Sequence, residues 1–142
     1  MLSRVGELLD AGLDRFSVVV MPDFFSDRIV KLSSPEVFVG DVEGKLTSGG
    51  GSVHGVEQME IKGGNATNVA YALGRFGVSV NLVAVADDYA EAFLRSRFSN
   101  LPNVEIDIVA GKPGYTVALE FRQGGRVANV MLSDLGDTAN VG

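Results

Sequence analysis

Gly63-Gly64-Asn65-Ala66-Thr67-Asn68-Val69-Ala70-Tyr71-Ala72-Leu73-Gly74-Arg75-Phe76-Gly77 is the stretch that decides how this chain is read. Val69, Leu73 and Phe76 recur at helical intervals, Ala70 and Ala72 are good helix formers, and Gly77 stands where a helix stops. Two glycines therefore lead directly into a helix N-terminus. Without Cβ atoms they let the backbone come close to a ligand. The first N–H groups of a helix have no partner inside it and can bind a polar group. Asn68 lies one turn in and offers both donors and an acceptor. Together these residues make a polar site suited to hydroxyls. A plain glycine turn, with Asn or Thr as a helix cap, is the alternative reading of the same letters. The stretch is not GxGxxG and has no GK[ST], which removes the dinucleotide and P-loop readings.

Outward from this turn, the pattern alternates strands with helices. Val78 to Ala86 reads as a strand, and Asp88 as the cap of a helix carrying Ala90, Phe93, Leu94 and Phe98. Val104 to Val109 is a further strand after the turn Asn100-Leu101-Pro102-Asn103. Phe16 to Met21 is a compact β-branched run, as in a strand buried on both faces of a parallel sheet. Leu2, Val5, Leu8 and Leu9 predict a short helix ending near Gly12. Tyr115 to Phe121 and Arg126 to Leu132 flank Gly124-Gly125 and predict a hairpin. Val37, Val39 and Val42 alternate, which predicts a half-exposed strand over 36–42, and Val56 to Lys62 predicts another. The fold class is thus α/β. The strands within 36–62 and 115–132 are expected to form a small antiparallel lid on a single domain spanning 1–142.

Composition narrows the function. The chain has 142 residues, enough for one buried core, with 46% hydrophobic and 21% charged residues. A formal net charge of -6, with the 12 basic residues scattered singly, argues against nucleic acid as a partner. The absence of cysteine removes disulfides, thiolate metal sites and Cys nucleophiles. One histidine, His54, cannot alone make a zinc site. The first sixteen residues are too polar for a signal peptide, and no apolar run reaches the length of a membrane span. No membrane association and a cytoplasmic location are the expectation.

The Gly63–Gly77 stretch resembles the first signature of ribokinase-like (PfkB) carbohydrate kinases. Val83-Ala84-Val85-Ala86-Asp87-Asp88 with Phe93-Leu94 is similar to that family's next strand, acidic turn and helix. Val18-Val19-Val20 followed by Asp27-Arg28-Ile29-Val30 resembles its first strand and sugar-binding acid, and Thr116 to Leu132 its later pair of strands. The resemblance covers roughly residues 16 to 135.

It implies the N-terminal part of a three-layer α/β/α ribokinase-like sheet with a β lid. It also implies binding of a sugar or nucleoside by Asp27, Gly63, Gly64 and Asn68. Asp27 matches the carboxylate that accepts from sugar hydroxyls, Gly63 and Gly64 the close backbone approach, and Asn68 the side chain that orients the sugar. Pro22 stands where the family often has glycine, so Asp23 is a substitute for Asp27 if the register differs. Asp87 and Asp88 read as structural.

The family's second signature, similar to Asp-Thr-x-Gly-Ala-Gly-Asp, is absent. Asp137-Thr138 matches only its first two letters. No catalytic base is therefore assigned within these residues. ATP and Mg²⁺ are expected for a full-length kinase and not for this portion, which should be inactive alone. Uncovered sheet surface predicts a homo-oligomer, through the lid strands or a sheet edge.

Overall fold

The computed structural model describes residues 12, 13 and 15–140. The helix predicted from Leu2 falls on residues outside this set. The order is β1 (Ser17–Val20), β2 (Phe25–Leu32), α1 (Pro35–Thr47), β3 (Glu57–Gly63), α2 (Asn65–Arg75), β4 (Ser79–Ala86), α3 (Asp88–Phe98), β5 (Val104–Ala110), β6 (Gly114–Gln123), β7 (Arg126–Asp134) and a 3-10 turn (Gly136–Asn140).

The described residues divide into two compact units: those within 1–25, 63–114 and 135–142 form the first, and residues 26–62 and 115–134 the second. In the first, β1, β4 and β5 form a parallel sheet in the order β1-β4-β5. Side chains alternate across a strand. Val18 and Val20, with Val80, Leu82, Ala84 and Ala86, and Ile106 and Ile108, therefore share one face. Ala66 and Ala70 of α2, and Ala90, Leu94 and Phe98 of α3, pack on that face as one core. Small residues on α2 bring its axis close to the sheet. Residues of both helices pack on this face.

In the second unit the sheet order is β3-β2-β6-β7. β6 and β7 pair antiparallel, with Val117 opposite Leu132 and Leu119 opposite Val130. Gly124 and Gly125, at φ 57° and 77°, are the two-residue turn the hairpin needs. Lys31 pairs with Glu57, and Ser26 donates to Glu60 at 3.0 Å, stitching β2 to β3. Lys62 and Ser26 hold the Glu60 carboxyl below its ordinary range.

Two expectations are corrected. The strand predicted over 36–42 is instead helix α1. Ser34 caps it by accepting from the Val37 N–H, Pro35 starts it, Glu36 lies in its first turn and Lys45 in its last. The spacing of Val37 and Val39 imitated a strand, but both side chains are exposed, while Phe38 meets Phe121 edge-on at 6.0 Å. The cap of α3 is Asp87, whose carboxylate accepts from the Ala90 N–H at 2.8 Å, and Asp88 is the first helical residue.

Candidate functional site

The turn Gly63–Asn68 is built by a corner of chain more than forty residues earlier. Asp23 follows β1, and its carboxylate spans the start of α2. Oδ2 accepts from the Asn65 N–H at 2.8 Å and Oδ1 from the Ala66 N–H at 2.7 Å. The Asp23 carbonyl accepts from the Thr67 hydroxyl at 3.2 Å. Thr67 is fully buried, so this bond satisfies a hydroxyl that water cannot reach. Gly64 sits at φ 98°, ψ 153°, a region that only glycine adopts readily. A Cβ there would lie 2.7 Å from the Asp23 carbonyl oxygen and 3.2 Å from the Phe24 Cα.

The second glycine has a different reason. Gly63 is buried, and a Cβ on it would meet the Asn68 amide at 3.1 Å. Asn68 is exposed and lies over the glycine, and its side chain makes no hydrogen bond among the described residues. The turn therefore presents a free amide, with two donors and an acceptor, above a bare backbone.

Gly63, Gly64 and Asn68 thus stand together in the first unit, as the sequence indicates. Asp27 lies on β2 in the second unit, half-buried, with no hydrogen bond or ion pair among the described residues. Asp23 is occupied at the head of α2, so the two acids divide their roles: one is engaged and the other is not. Sequence reasoning left Asp23 only as a register substitute, because its partners lie 42 and 43 residues away and no local pattern marks them. Asp137, read as two letters of a motif, accepts from the Lys112 N–H at 2.7 Å while its own N–H donates to the Lys112 carbonyl at 2.9 Å. His54 is exposed, and no group of three or more His, Cys, Asp or Glu among the described residues could hold a metal ion. No described helix is long and apolar enough to cross a membrane.

Replacing Asp23 with Ala removes the cap from two helix N–H groups. The expected cost is about 0.5–2 kcal/mol, read as a lower denaturation midpoint, with Asp23→Asn milder because it keeps an acceptor.

No family model and no curated protein sequence matches the chain. Solved structures do. A nucleoside kinase of the ribokinase family from Methanocaldococcus jannaschii superposes with a TM-score of 0.57 at 12% identity, covering 91% of this chain and 40% of that one. A carbohydrate kinase from Agrobacterium tumefaciens gives 0.53 at 19% identity, covering 84% and 35%. The fold is ribokinase-like. Ribokinase from Cryptococcus neoformans, solved with ADP, gives 0.53 at 18% identity, covering 85% and 35%. The chain spans 35–40% of the length of these ribokinase-like proteins. The mixed α/β arrangement of parallel and antiparallel sheets agrees with the resemblance read from Gly63–Gly77.

Proposed function

We propose that this chain forms the acceptor-binding portion of a cytoplasmic, ATP-dependent kinase that phosphorylates a hydroxyl of a sugar or nucleoside. The observation that carries the reading is the free Asn68 amide laid over Gly63 at the start of α2, inside a ribokinase-like fold. In this reading Asn68 orients the ligand by donating to one hydroxyl and accepting from another. The side-chain-free backbone of Gly63 and Gly64 admits the ligand closely; Asp27 enters this reading from the sequence resemblance alone, as a carboxylate able to accept from vicinal hydroxyls. ATP and Mg²⁺ are assigned to parts of the ribokinase-like fold beyond those matched here. Phosphoryl transfer needs charge stabilisation around the moving group, and these residues contain no Gly-Ala-Gly-Asp-like turn to supply it. The chain alone is therefore a binder without turnover.

Calorimetry against ribose and adenosine tests this. Binding is expected for at least one of the two, lost in Asn68→Ala and in Asp27→Ala, with melting temperatures close to the parent because Asn68 is exposed and the half-buried Asp27 makes no hydrogen bond among the described residues. ADP release above background by this chain with ATP, Mg²⁺ and ligand would contradict the division of roles. Failure of both ligands to bind would remove the kinase reading.

The second unit favours self-association. β7 is the last strand of its sheet and exposed along its whole length, with Val130 52% and Leu132 60% accessible. They lie beside Leu119 and Val117 on one face. Apolar side chains in a row on an edge strand are a template for pairing or face-to-face packing. A homodimer through this face is proposed. Sedimentation velocity should show a dimer that becomes a monomer in the double variant Val130→Lys, Leu132→Lys, and a monomeric parent chain would refute it.

A further inference from the structure

We propose that the second unit carries a binding site of its own, a cavity between β2, α1 and the glycine-rich loop before β3 that takes a small protonated amine on an apolar body. This site is independent of the kinase reading and of the Gly63–Asn68 turn.

The cavity follows from how the loop is made. Gly49, Gly50 and Gly51 have φ of 82°, 119° and 150°, so the chain can reverse at the end of α1. The reversal is pinned where the Gly49 N–H donates to the Leu46 carbonyl at 3.1 Å and the Gly50 N–H to the Lys45 carbonyl at 2.8 Å. Val53 and His54 are thereby carried back beside the first half of α1. There they line one cavity of about 220 Å³ with Leu32, Phe38 and Asp41. A space of about 150 Å³ already holds a benzene ring, so one ring with a short arm fits. Leu32 is buried, and Phe38 is steadied edge-on by Phe121 at 6.0 Å. An apolar wall with a few convergent polar groups is the form small-molecule sites take.

The polar groups choose the ligand. Lys31 also lines the cavity, but its ammonium is tied to the Glu57 carboxylate at 2.5 Å. Asp41 and His54 are exposed, and neither has a hydrogen bond or ion pair among the described residues, Lys45 one turn along α1 included. One negative charge is left uncompensated, beside one imidazole. A protonated amine answers both. One N–H donates to the Asp41 carboxylate in a charge-assisted bond, and another to the imidazole, which accepts in its neutral form. The carbon body displaces water from Leu32, Phe38 and Val53. A carboxylate or phosphate would meet like charge at Asp41, and a polyol would leave the apolar wall unmatched. A metal ion would find only two ligands, one carboxylate and one imidazole.

Amide-resolved NMR titration of the full chain at neutral pH tests this with three probes of one shape: benzylammonium, benzyl alcohol and benzoate. Benzylammonium should bind saturably and move the amides of Val37, Asp41, Val53 and His54. Benzyl alcohol should bind several-fold more weakly, and benzoate not at all. Asp41→Asn should bring benzylammonium down to the level of the alcohol and leave the alcohol unchanged, and His54→Ala should weaken benzylammonium several-fold. Both side chains are exposed, so these variants should melt with the parent. Val53→Trp, which fills the space without altering charge, should remove binding and serves if the Asp41 variant does not fold. No saturable binding, equal binding of the three probes, or benzylammonium binding that a folded Asp41→Asn leaves unchanged would overturn the proposal.

Discussion

Gly64→Val should cost this chain about 2–6 kcal/mol, while Gly63→Ala, one residue away, should fold normally and lose the proposed ligand binding. The two glycines fail for different physical reasons. At Gly64 the backbone lies at φ 98°, ψ 153°, which costs any other residue about 1–3 kcal/mol. The new Cβ also meets main-chain atoms, the Asp23 carbonyl oxygen at 2.7 Å and the Phe24 Cα at 3.2 Å. Main chain held by the Asp23 and Thr67 hydrogen bonds cannot step aside, so overpacking adds roughly another 1–3 kcal/mol. Against a typical total of about 5–15 kcal/mol, that removes a large share of the stability.

At Gly63 φ is not positive, and the Cβ meets only the amide of Asn68, an exposed side chain free to swing away. Stability stays, but the amide no longer lies over the turn. Gly77→Ala isolates the backbone cost, since Gly77 has φ 86° and nothing within 4 Å of its Cβ; about 1–2 kcal/mol is expected. Urea denaturation of the three variants, with calorimetric titration of the folded ones, checks the set. Equal destabilisation by Gly64→Val and Gly77→Ala would show that the close approach to Asp23 contributes nothing.

The same contrast explains what could be read from the letters. The helix at Asn65–Arg75 and the strand at Ser79–Ala86 were legible because their apolar spacing is set locally, by the sheet face and helix face each must bury. The hairpin was legible because Gly124-Gly125 permits the positive φ that a two-residue turn demands. Helix α1 was not, because its buried set is empty. With no apolar stripe to show a 3.6-residue period, Val37 and Val39 looked like alternation, and the start signal Ser34-Pro35-Glu36 went unread. The polar part of the site was half legible. Gly63, Gly64 and Asn68 lie within six residues and display their geometry in sequence. Asp23 acts across more than forty residues, and only the fold brings its carboxylate to α2.

Phe24 belongs with Asp23 on the illegible side, and its removal should be the most damaging single truncation near the site. In sequence it sits in a polar-flanked run, Asp23-Phe24-Phe25-Ser26-Asp27, with nothing to set it apart from Phe25. In the structure it is 2% exposed and belongs to the core with Ala66, Ala70 and Leu94, its ring 5.7 Å from that of Phe93. Its carbonyl accepts from the Gly114 N–H at 3.0 Å, so the residue also ties the β1–β2 corner to the start of β6. Phe24→Ala leaves a cavity between α2 and α3 and should cost about 3–5 kcal/mol, with Phe24→Leu costing less than half of that.

Because Phe24 adjoins Asp23 and its Cα lies under Gly64, the loss should not stay in the core. The Asn65 and Ala66 amides should lose protection from hydrogen exchange before those of β4. The double variant Asp23→Ala, Phe24→Ala should then be less destabilised than the sum of its parts, since a corner already loosened by the cavity has less clamp to lose. Strict additivity, with α2 amides as protected as in the parent chain, would mean that the core and the Gly63–Asn68 turn are mechanically separate, and that the burial of Phe24 plays no part in holding Asp23 against the helix.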